Sequence, residues 1–183
     1  NKATLEICEG QALDKEFENN NEITENEYLN MIDKKTGALL SLSSILCPIY
    51  SGIDENLISL YNQYGRNLGK GFQIQDDLLE ITSNQNQMGK SLGSDLLEGK
   101  QTIMVIQARK RDPGGWRKLI NSSNSLNIIN NARIFFSDNG IIDFTELMAK
   151  SYFNSARENL NQIHNIEVDE LIKFTNLIEK RTF

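Results

Sequence analysis

Apolar residues recur every three or four positions along almost the whole chain, and this period restricts the fold to helices. One clear run consists of Leu57, Tyr61, Tyr64, Leu68 and Phe72. This spacing is the period of an α-helix, and no segment shows the convincing alternation of a half-buried strand. Neither an internal repeat nor a linker long enough to separate domains is present. We therefore predict one all-α domain.

The apolar pattern and its breaks also predict where the helices lie. A first helix carries Leu5, Cys8 and Ala12, and a second begins at Glu25 and ends at Ser51-Gly52. In the second, a broad buried face is predicted from Ala38, Leu39, Leu42, Ile45, Leu46 and Ile49. A third helix starts after the N-cap Asp54 and reaches Ile81. Further helices are predicted at about 101–109, 126–138, 145–163 and 168–180, with a break at 112–115.

Charge and cysteine content exclude several classes of protein. The formal net charge of −6 gives no basic footprint for nucleic acid. Cys8 and Cys47 have no CxxC spacing, so we interpret both as small core residues of a protein in a reducing compartment. No stretch approaches the ~20 apolar residues of a transmembrane segment, and no signal-peptide pattern is present. A cytoplasmic protein is expected.

Four polar residues fall on one face of the third predicted helix. Gln73, Asp76, Asp77 and Glu80 are related by i, i+3, i+4 and i+7, so they can converge on one ligand. Carboxylates without a nearby histidine or thiolate suit a hard cation such as Mg²⁺, which keeps substrate phosphates among its ligands. A solvated acidic face is the alternative. The apolar residues around the patch leave it few polar neighbours, and from this helix alone both interpretations stay open.

Three lysines could supply the positive charge for the same anion. Lys90 and Lys100 each follow a glycine, which lets the backbone turn tightly. Lys35 and Thr36 add an ammonium group and a hydroxyl beside Gly37. Each lysine alone would be read as solvated. Together with the acids they predict electrostatic stabilisation of a departing diphosphate.

These residues resemble the trans-isoprenyl diphosphate synthases, also called polyprenyl synthetases. The family's second aspartate-rich motif, FQxxDDxxD, is similar to Phe72-Gln73-Ile74-Gln75-Asp76-Asp77-Leu78-Leu79-Glu80, with Glu80 replacing the last Asp. Its GK, G-x-D and GK-x-T elements resemble Gly89-Lys90, Gly93-Ser94-Asp95 and Gly99-Lys100-Gln101-Thr102. Its GQ and KTG elements resemble Gly10-Gln11 and Lys35-Thr36-Gly37.

The resemblance implies a fold, a reaction and a set of roles. The fold would be the isoprenoid-synthase helical bundle around a central cavity. The reaction would join an allylic diphosphate to isopentenyl diphosphate, giving a longer trans-prenyl diphosphate. Lys35, Thr36, Phe72, Gln73, Lys90 and Lys100 would contact the allylic diphosphate. Asp76 would ligate Mg²⁺, and Asp77 and Glu80 would reach it directly or through water.

Residues 1–183 resemble only the C-terminal part of the family's fold. The family's first DDxxD motif is not among them. We therefore expect the C-terminal portion of a single synthase domain, inactive alone, whose N-terminal helices are missing. The resemblance also implies a homodimer.

Two alternatives stay open at this stage. A terpene cyclase would share the fold and the Mg²⁺–diphosphate chemistry, but the two GK elements after the acids favour chain elongation. A non-catalytic regulatory subunit of a prenyl synthase would agree with the lack of the first motif. Such a subunit would not need Asp76, Lys90 and Lys100 together.

Overall fold

The computed structural model describes residues 1–83, 93–122 and 125–181, and their regular structure is entirely helical. The all-α prediction is confirmed. The elements are α1 Lys2–Phe17, α2 Glu25–Ile32, a π-helical turn Asp33–Gly37 (the π turn), α3 Ala38–Tyr50, α4 Glu55–Thr82, α5 Ser94–Leu97, α6 Ile103–Arg111, α7 Pro113–Ser122, α8 Ser125–Asp138, α9 Ile141–Asn161 and α10 Asp169–Glu179. None of these helices is both long enough and apolar enough to cross a membrane.

Helix α4 forms the centre of the bundle. Its 28 residues span roughly 42 Å at the α-helical rise. It packs mainly on α3 and α9 and also contacts the π turn, α6 and α10. Tyr64, Leu68 and Ile74 on this helix are almost completely buried. The helix starts where the sequence predicts, because the Asp54 carboxylate accepts a hydrogen bond from the Asn56 N–H at 2.8 Å.

The predicted buried face of α3 is wrong for half of its residues. Leu39, Leu46 and Ile49 are 52%, 55% and 53% exposed. Instead of these large residues, α3 turns Ser41 towards α4, where a Cβ on Gly65 would lie 2.4 Å from the Ser41 Cα. Because the two helices meet through small residues, their backbones approach closely and much of the apolar surface of α3 faces outward.

The assignment of Cys8 and Cys47 to the core is also wrong, because both are exposed. The buried residues of α1 are Gly10 and Phe17, and the face that carries Cys8 points away from the bundle. Small size and low polarity make a cysteine easy to bury, but the packing of the helix decides which face is inside. The inward face of α1 carries Gly10, because a side chain there would collide with the backbone of the π turn.

The segment predicted as a break at 112–115 instead begins α7. The Asp112 carboxylate accepts a hydrogen bond from the Gly115 N–H at 2.8 Å, and Pro113 occupies the first helical position. Proline suits that position because its missing N–H would have no helical partner there. Trp116 on α7 then stacks on Phe136 of α8, with ring centroids 5.4 Å apart.

Candidate active site

A small polar cavity of about 30 Å³ lies beside α4, between α1, α2, the π turn and the segment that leads into α6. It contains four of the residues that the sequence predicted for the site: Lys35, Gln73, Asp77 and Lys100. Its other polar lining residues are Asp14, Tyr28, Asp95, Gln101 and Thr102. The fold therefore brings two predicted cations together with one predicted carboxylate.

Each of the two lysines forms an ion pair with a carboxylate of the same cavity. Lys35 Nζ lies 2.7 Å from Asp14 Oδ2, and both side chains are about one-fifth exposed. Lys100 Nζ bonds Asp95 Oδ1. Burial disfavours the charged form of Lys100, but the hydrogen bond to Asp95 and the negative charges of Asp95, Asp14 and Glu98 together outweigh it and raise the lysine pKa. Both cations are therefore held in place before any anion arrives.

A chain of hydrogen bonds joins α2, α4 and the π turn across the cavity. The Tyr28 hydroxyl donates to Asp77 Oδ2 at 2.7 Å, and Gln73 Nε2 donates to Asp77 Oδ1 at 3.1 Å. The Thr36 hydroxyl donates to Gln73 Oε1 at 3.0 Å. This chain fixes the orientation of the Gln73 amide. It also couples Thr36 of the π turn to the acidic motif.

Asp77 is the buried acid of the motif. Only 6% of the residue is exposed, and burial raises the pKa of its carboxyl to about 7. The hydrogen bonds from Tyr28 and Gln73 favour the ionised form and oppose this effect. Asp77 is thus held inward by two donors.

Asp76 points away from its neighbour, because adjacent residues of an α-helix lie about 100° apart around the axis. Its side chain is 46% exposed and accepts a hydrogen bond from Arg181 Nη2 at 3.1 Å. The Arg181 guanidinium also lies 4.3 Å from the centroid of the Phe72 ring. Asp76 does not line the polar cavity as it is formed by the described residues. The predicted convergence of the four polar residues is therefore incomplete.

Glu80 contacts the beginning of α5. Its Oε1 accepts hydrogen bonds from Ser94 Oγ at 3.0 Å and from the Asp95 N–H at 2.8 Å. Burial, together with the nearby Asp95 carboxylate, raises the pKa of Glu80 to about 7. The pKa of Asp95 is lowered despite its burial, because it accepts hydrogen bonds from Glu80 and Lys100. Glu80 thus connects the acidic motif to the loop that carries Lys100.

The acidic motif fits Mg²⁺ in the type of its ligands. Carboxylate oxygens are the ligands that a hard cation prefers, and the Asp76 carboxylate is half-exposed, so a partly hydrated ion could reach it. Asp77 and Glu80 are directed to other partners, and the described ranges contain no cluster of three or more His, Cys, Asp or Glu side chains placed to hold a metal. The roles of Asp77 and Glu80 as ligands stay predictions.

An apolar groove of about 310 Å³ adjoins the polar cavity. It is lined by Leu39, Leu40, Leu68, Phe72, Phe174 and Ile178, and its polar members are Lys35 and Thr36. Lys35 lines both the groove and the cavity. Two further predicted residues, Thr36 and Phe72, are thus placed in the groove. Lys90, with Gly89, lies outside the described residues.

Sequence reasoning missed Asp14 and Tyr28. Asp14 lies four residues after Gly10, one turn further along α1, and Tyr28 lies seven residues, or two turns, before Lys35. A tyrosine that is 1% exposed needs a partner for its hydroxyl, so burial of Tyr28 would have been a signal. That burial is visible only once α2 is packed against α4.

Comparison with known proteins identifies the family of the chain. Residues 1–134 match the family model described as polyprenyl synthetase. Over 92% of the chain, the sequence is 38% identical to a geranylfarnesyl diphosphate synthase of Natronomonas pharaonis, and over 88% it is 35% identical to a geranylgeranyl diphosphate synthase of Sulfolobus acidocaldarius. The chain belongs to the polyprenyl synthetase family.

Solved structures agree in fold. A geranylgeranyl pyrophosphate synthetase from Pyrococcus horikoshii aligns with 98% of the chain at a TM-score of 0.88 and 32% identity. A polyprenyl synthase from Caulobacter crescentus, complexed with calcium and isoprenyl diphosphate, aligns with 100% of the chain at a TM-score of 0.87 and 25% identity. The fold is the all-helical isoprenoid-synthase fold. The chain covers 56% and 57% of these two structures and about half the length of the two curated relatives.

Proposed function

We propose that this protein acts in trans-prenyl transfer, in which an allylic diphosphate is joined to isopentenyl diphosphate to give a longer trans-prenyl diphosphate. The observation that carries the proposal is the position of Lys35, where the polar cavity meets the apolar groove. A ligand with an anionic head and a hydrocarbon tail needs this combination of surfaces. Two relatives are named as synthases of prenyl diphosphates, and the Caulobacter structure contains isoprenyl diphosphate.

The lysines would hold the diphosphate head. Lys35 and Lys100 are already paired with Asp14 and Asp95, so an incoming diphosphate would exchange with one carboxylate at each lysine. Diphosphate has more charge and more acceptor oxygens than a carboxylate, which favours this exchange. By resemblance to the family, Lys90 would be the third cation. Gln73 and Thr36 would contact the same head group.

The apolar groove would hold the prenyl tail and shield the reacting carbon. Leaving-group departure gives an allylic cation, which water would capture in an open site. Leu68 is buried, and Phe72 lines the groove together with Lys35. Attack by the double bond of isopentenyl diphosphate forms the new C–C bond, and loss of a proton then restores a double bond. The diphosphate leaves with the electron pair of the broken C–O bond.

We propose that Asp76 is the principal residue for Mg²⁺, with Asp77 and Glu80 contributing directly or through water. When bound, the ion neutralises charge that develops on the leaving diphosphate. The carboxylate chemistry of the motif and the exposure of Asp76 support this assignment. We also propose that residues 1–183 form the C-terminal portion of one polyprenyl synthase domain that functions as a homodimer.

The test is calorimetric binding of farnesyl thiodiphosphate, an unreactive allylic analogue, in the presence of Mg²⁺. The analogue should bind more tightly than inorganic diphosphate, because only the analogue fills the groove. Lys100→Ala and Lys90→Ala should each weaken binding about tenfold or more, as expected for loss of a charge-assisted contact. Lys118→Ala, a change at an exposed lysine of α7, is the matched control. Equal affinity for analogue and inorganic diphosphate, or unchanged affinity in both site variants, would contradict the proposal.

A further inference from the structure

The segment that carries Lys35 and Thr36 is a π turn, not a continuous α-helix. Residues Asp33–Gly37 form this turn between α2 and α3. A π turn contains more residues per turn than an α-helix and is less stable, so it occurs mostly as a single turn and often at functional sites. Contacts from neighbouring elements must stabilise this local geometry.

Two glycines allow neighbouring helices to contact the backbone of the turn. A Cβ on Gly10 of α1 would lie 2.3 Å from the Lys35 nitrogen, and a Cβ on Gly69 of α4 would lie 2.6 Å from the Gly37 Cα. Real side chains do not make such short contacts, so only glycine fits at either position. These contacts set the distance of the turn from α1 and α4. They supply no donor to its carbonyl groups.

Arg66 of α4 supplies that donor. Its Nη1 donates to the Asp33 carbonyl oxygen at 3.1 Å and to Asp33 Oδ2 at 3.0 Å, and Nη2 bonds Glu6 of α1. Lys70 Nζ lies 3.0 Å from the other carboxylate oxygen, Asp33 Oδ1. Arg66 and Asp33 are each about one-quarter exposed. One guanidinium therefore connects α1, α4 and the first residue of the π turn.

The contacts follow one face of α4 in order. Arg66, Gly69 and Gln73 are spaced by three and four residues, so they lie in a row along the helix. Arg66 donates to Asp33, the first residue of the turn, and Gly69 allows close approach of Gly37, the last. Gln73 accepts a hydrogen bond from the Thr36 hydroxyl. Arg66 does not line the cavity or the groove.

We infer that the Arg66–Asp33 pair is a positioning element that sets the placement of Lys35 and Thr36 for diphosphate binding. The inference rests on the proposed function for the identity of the anion. An ordinary partly exposed ion pair contributes little to stability and orients nothing else. Here the same guanidinium also donates to the main-chain carbonyl of Asp33, the first residue of the π turn. Lys35 and Thr36 follow in the same turn. Loss of Arg66 changes where the cation lies, in addition to lowering stability.

The experiment compares Arg66→Met with Arg66→Lys and with a matched arginine. Methionine keeps an apolar side chain beside Gly37 but removes all hydrogen-bond donors. Lysine keeps a positive charge near Asp33 but lacks the planar guanidinium that can contact several acceptors at once. The control is Arg111→Met. Arg111 also donates to two backbone carbonyls, those of Asn139 and Gly140, but these do not line the cavity or the groove. Three quantities are measured: the thermal midpoint, hydrogen exchange of the peptide covering 33–38, and calorimetric affinity for inorganic diphosphate with Mg²⁺.

We expect Arg66→Met to speed exchange at 33–38 and to weaken diphosphate binding about tenfold, well below its thermal midpoint. Arg66→Lys should give an intermediate loss, and Arg111→Met should leave both quantities unchanged whatever its effect on stability. Unchanged exchange in Arg66→Met, or faster exchange with unchanged affinity, would overturn the inference. Absence of diphosphate binding by the unmodified protein would instead refute the proposed anion site. The exchange data alone would then decide whether Arg66 holds the turn.

Discussion

The Arg181 guanidinium donates a hydrogen bond to Asp76 Oδ1 at 3.1 Å, so the acid proposed as the principal Mg²⁺ ligand is paired with a cation of the same chain. The C-terminal end of α10, two residues before Arg181, is held nearby, because Gln75 Nε2 donates to the Glu179 carbonyl oxygen at 2.7 Å. A divalent ion that binds Asp76 must therefore compete with Arg181.

This competition predicts that Arg181→Gln binds Mn²⁺ more tightly than the unmodified protein. The pair is partly exposed, so the gain should be modest, about two- to fivefold, corresponding to roughly 0.5–1 kcal/mol. Electron paramagnetic resonance titration of free Mn²⁺ measures it directly. Arg157→Gln removes the same charge from a pair with Glu179 and is the control. Equal affinities in both variants and the unmodified protein would show that Arg181 does not compete for the metal.

The buried Asp77 predicts a pH dependence of stability in the metal-free protein. Its pKa is raised to about 7 in the folded state, whereas in the unfolded chain it returns to the ordinary value near 3.8. Between these values the folded state binds more protons than the unfolded state, so its contribution to stability is greatest below the unfolded pKa and falls as pH rises towards the folded pKa.

Asp77→Asn removes this titration. The free energy of unfolding of the variant minus that of the unmodified protein should be larger at about pH 7.5 than at about pH 4.5, by at least about 1 kcal/mol. The reason is that the asparagine never ionises, whereas the buried Asp77 does. Urea unfolding in EDTA at both pH values measures the difference. Asp138→Asn, at an exposed position of α8, should show no comparable pH-dependent gain. A constant difference between Asp77→Asn and the unmodified protein would contradict the assigned burial of this carboxyl.

The contact between α1 and the π turn predicts that Gly10→Ala is strongly destabilising. The added Cβ would lie 2.3 Å from the Lys35 nitrogen and 2.6 Å from its Cα, and neither backbone atom can move away cheaply. Overpacking of this kind costs about 1–3 kcal/mol. At Gly114 the nearest contact of a Cβ is Asp112 Oδ1 at 3.7 Å, so Gly114→Ala should be nearly neutral. Thermal unfolding compares the two, and equal midpoints would mean that α1 does not approach the turn as described.

Helix positions could be predicted from the sequence because period and caps are local properties. The Asp54 cap and the long α4 are examples. Which face of α3 is buried could not be predicted, because that helix is apolar around much of its surface and small residues determine its contact with α4.

The sequence predicted which residues form the candidate site but not the directions in which their side chains point. Motif spacing located Lys35, Gln73, Asp77 and Lys100, which the fold brings together. The different partners of Asp76 and Asp77 are Arg181 and Tyr28, both distant in sequence. The π turn that presents Lys35 depends on Gly10, Arg66 and Gly69, and no local pattern in residues 33–37 predicts it.

The most direct measurement of prenyl transfer uses this chain joined to the part of the Natronomonas pharaonis relative that it does not match. The assay follows incorporation of labelled isopentenyl diphosphate into a farnesyl diphosphate acceptor. We predict a longer prenyl diphosphate that forms only with Mg²⁺, and no elongation by residues 1–183 alone. Asp76→Asn should lower kcat about a hundredfold, as expected for loss of one electrostatic contact to the leaving group, and Glu80→Asp should lower it far less. A cyclic hydrocarbon formed from the allylic diphosphate alone, or equal small effects of the two substitutions, would contradict the account.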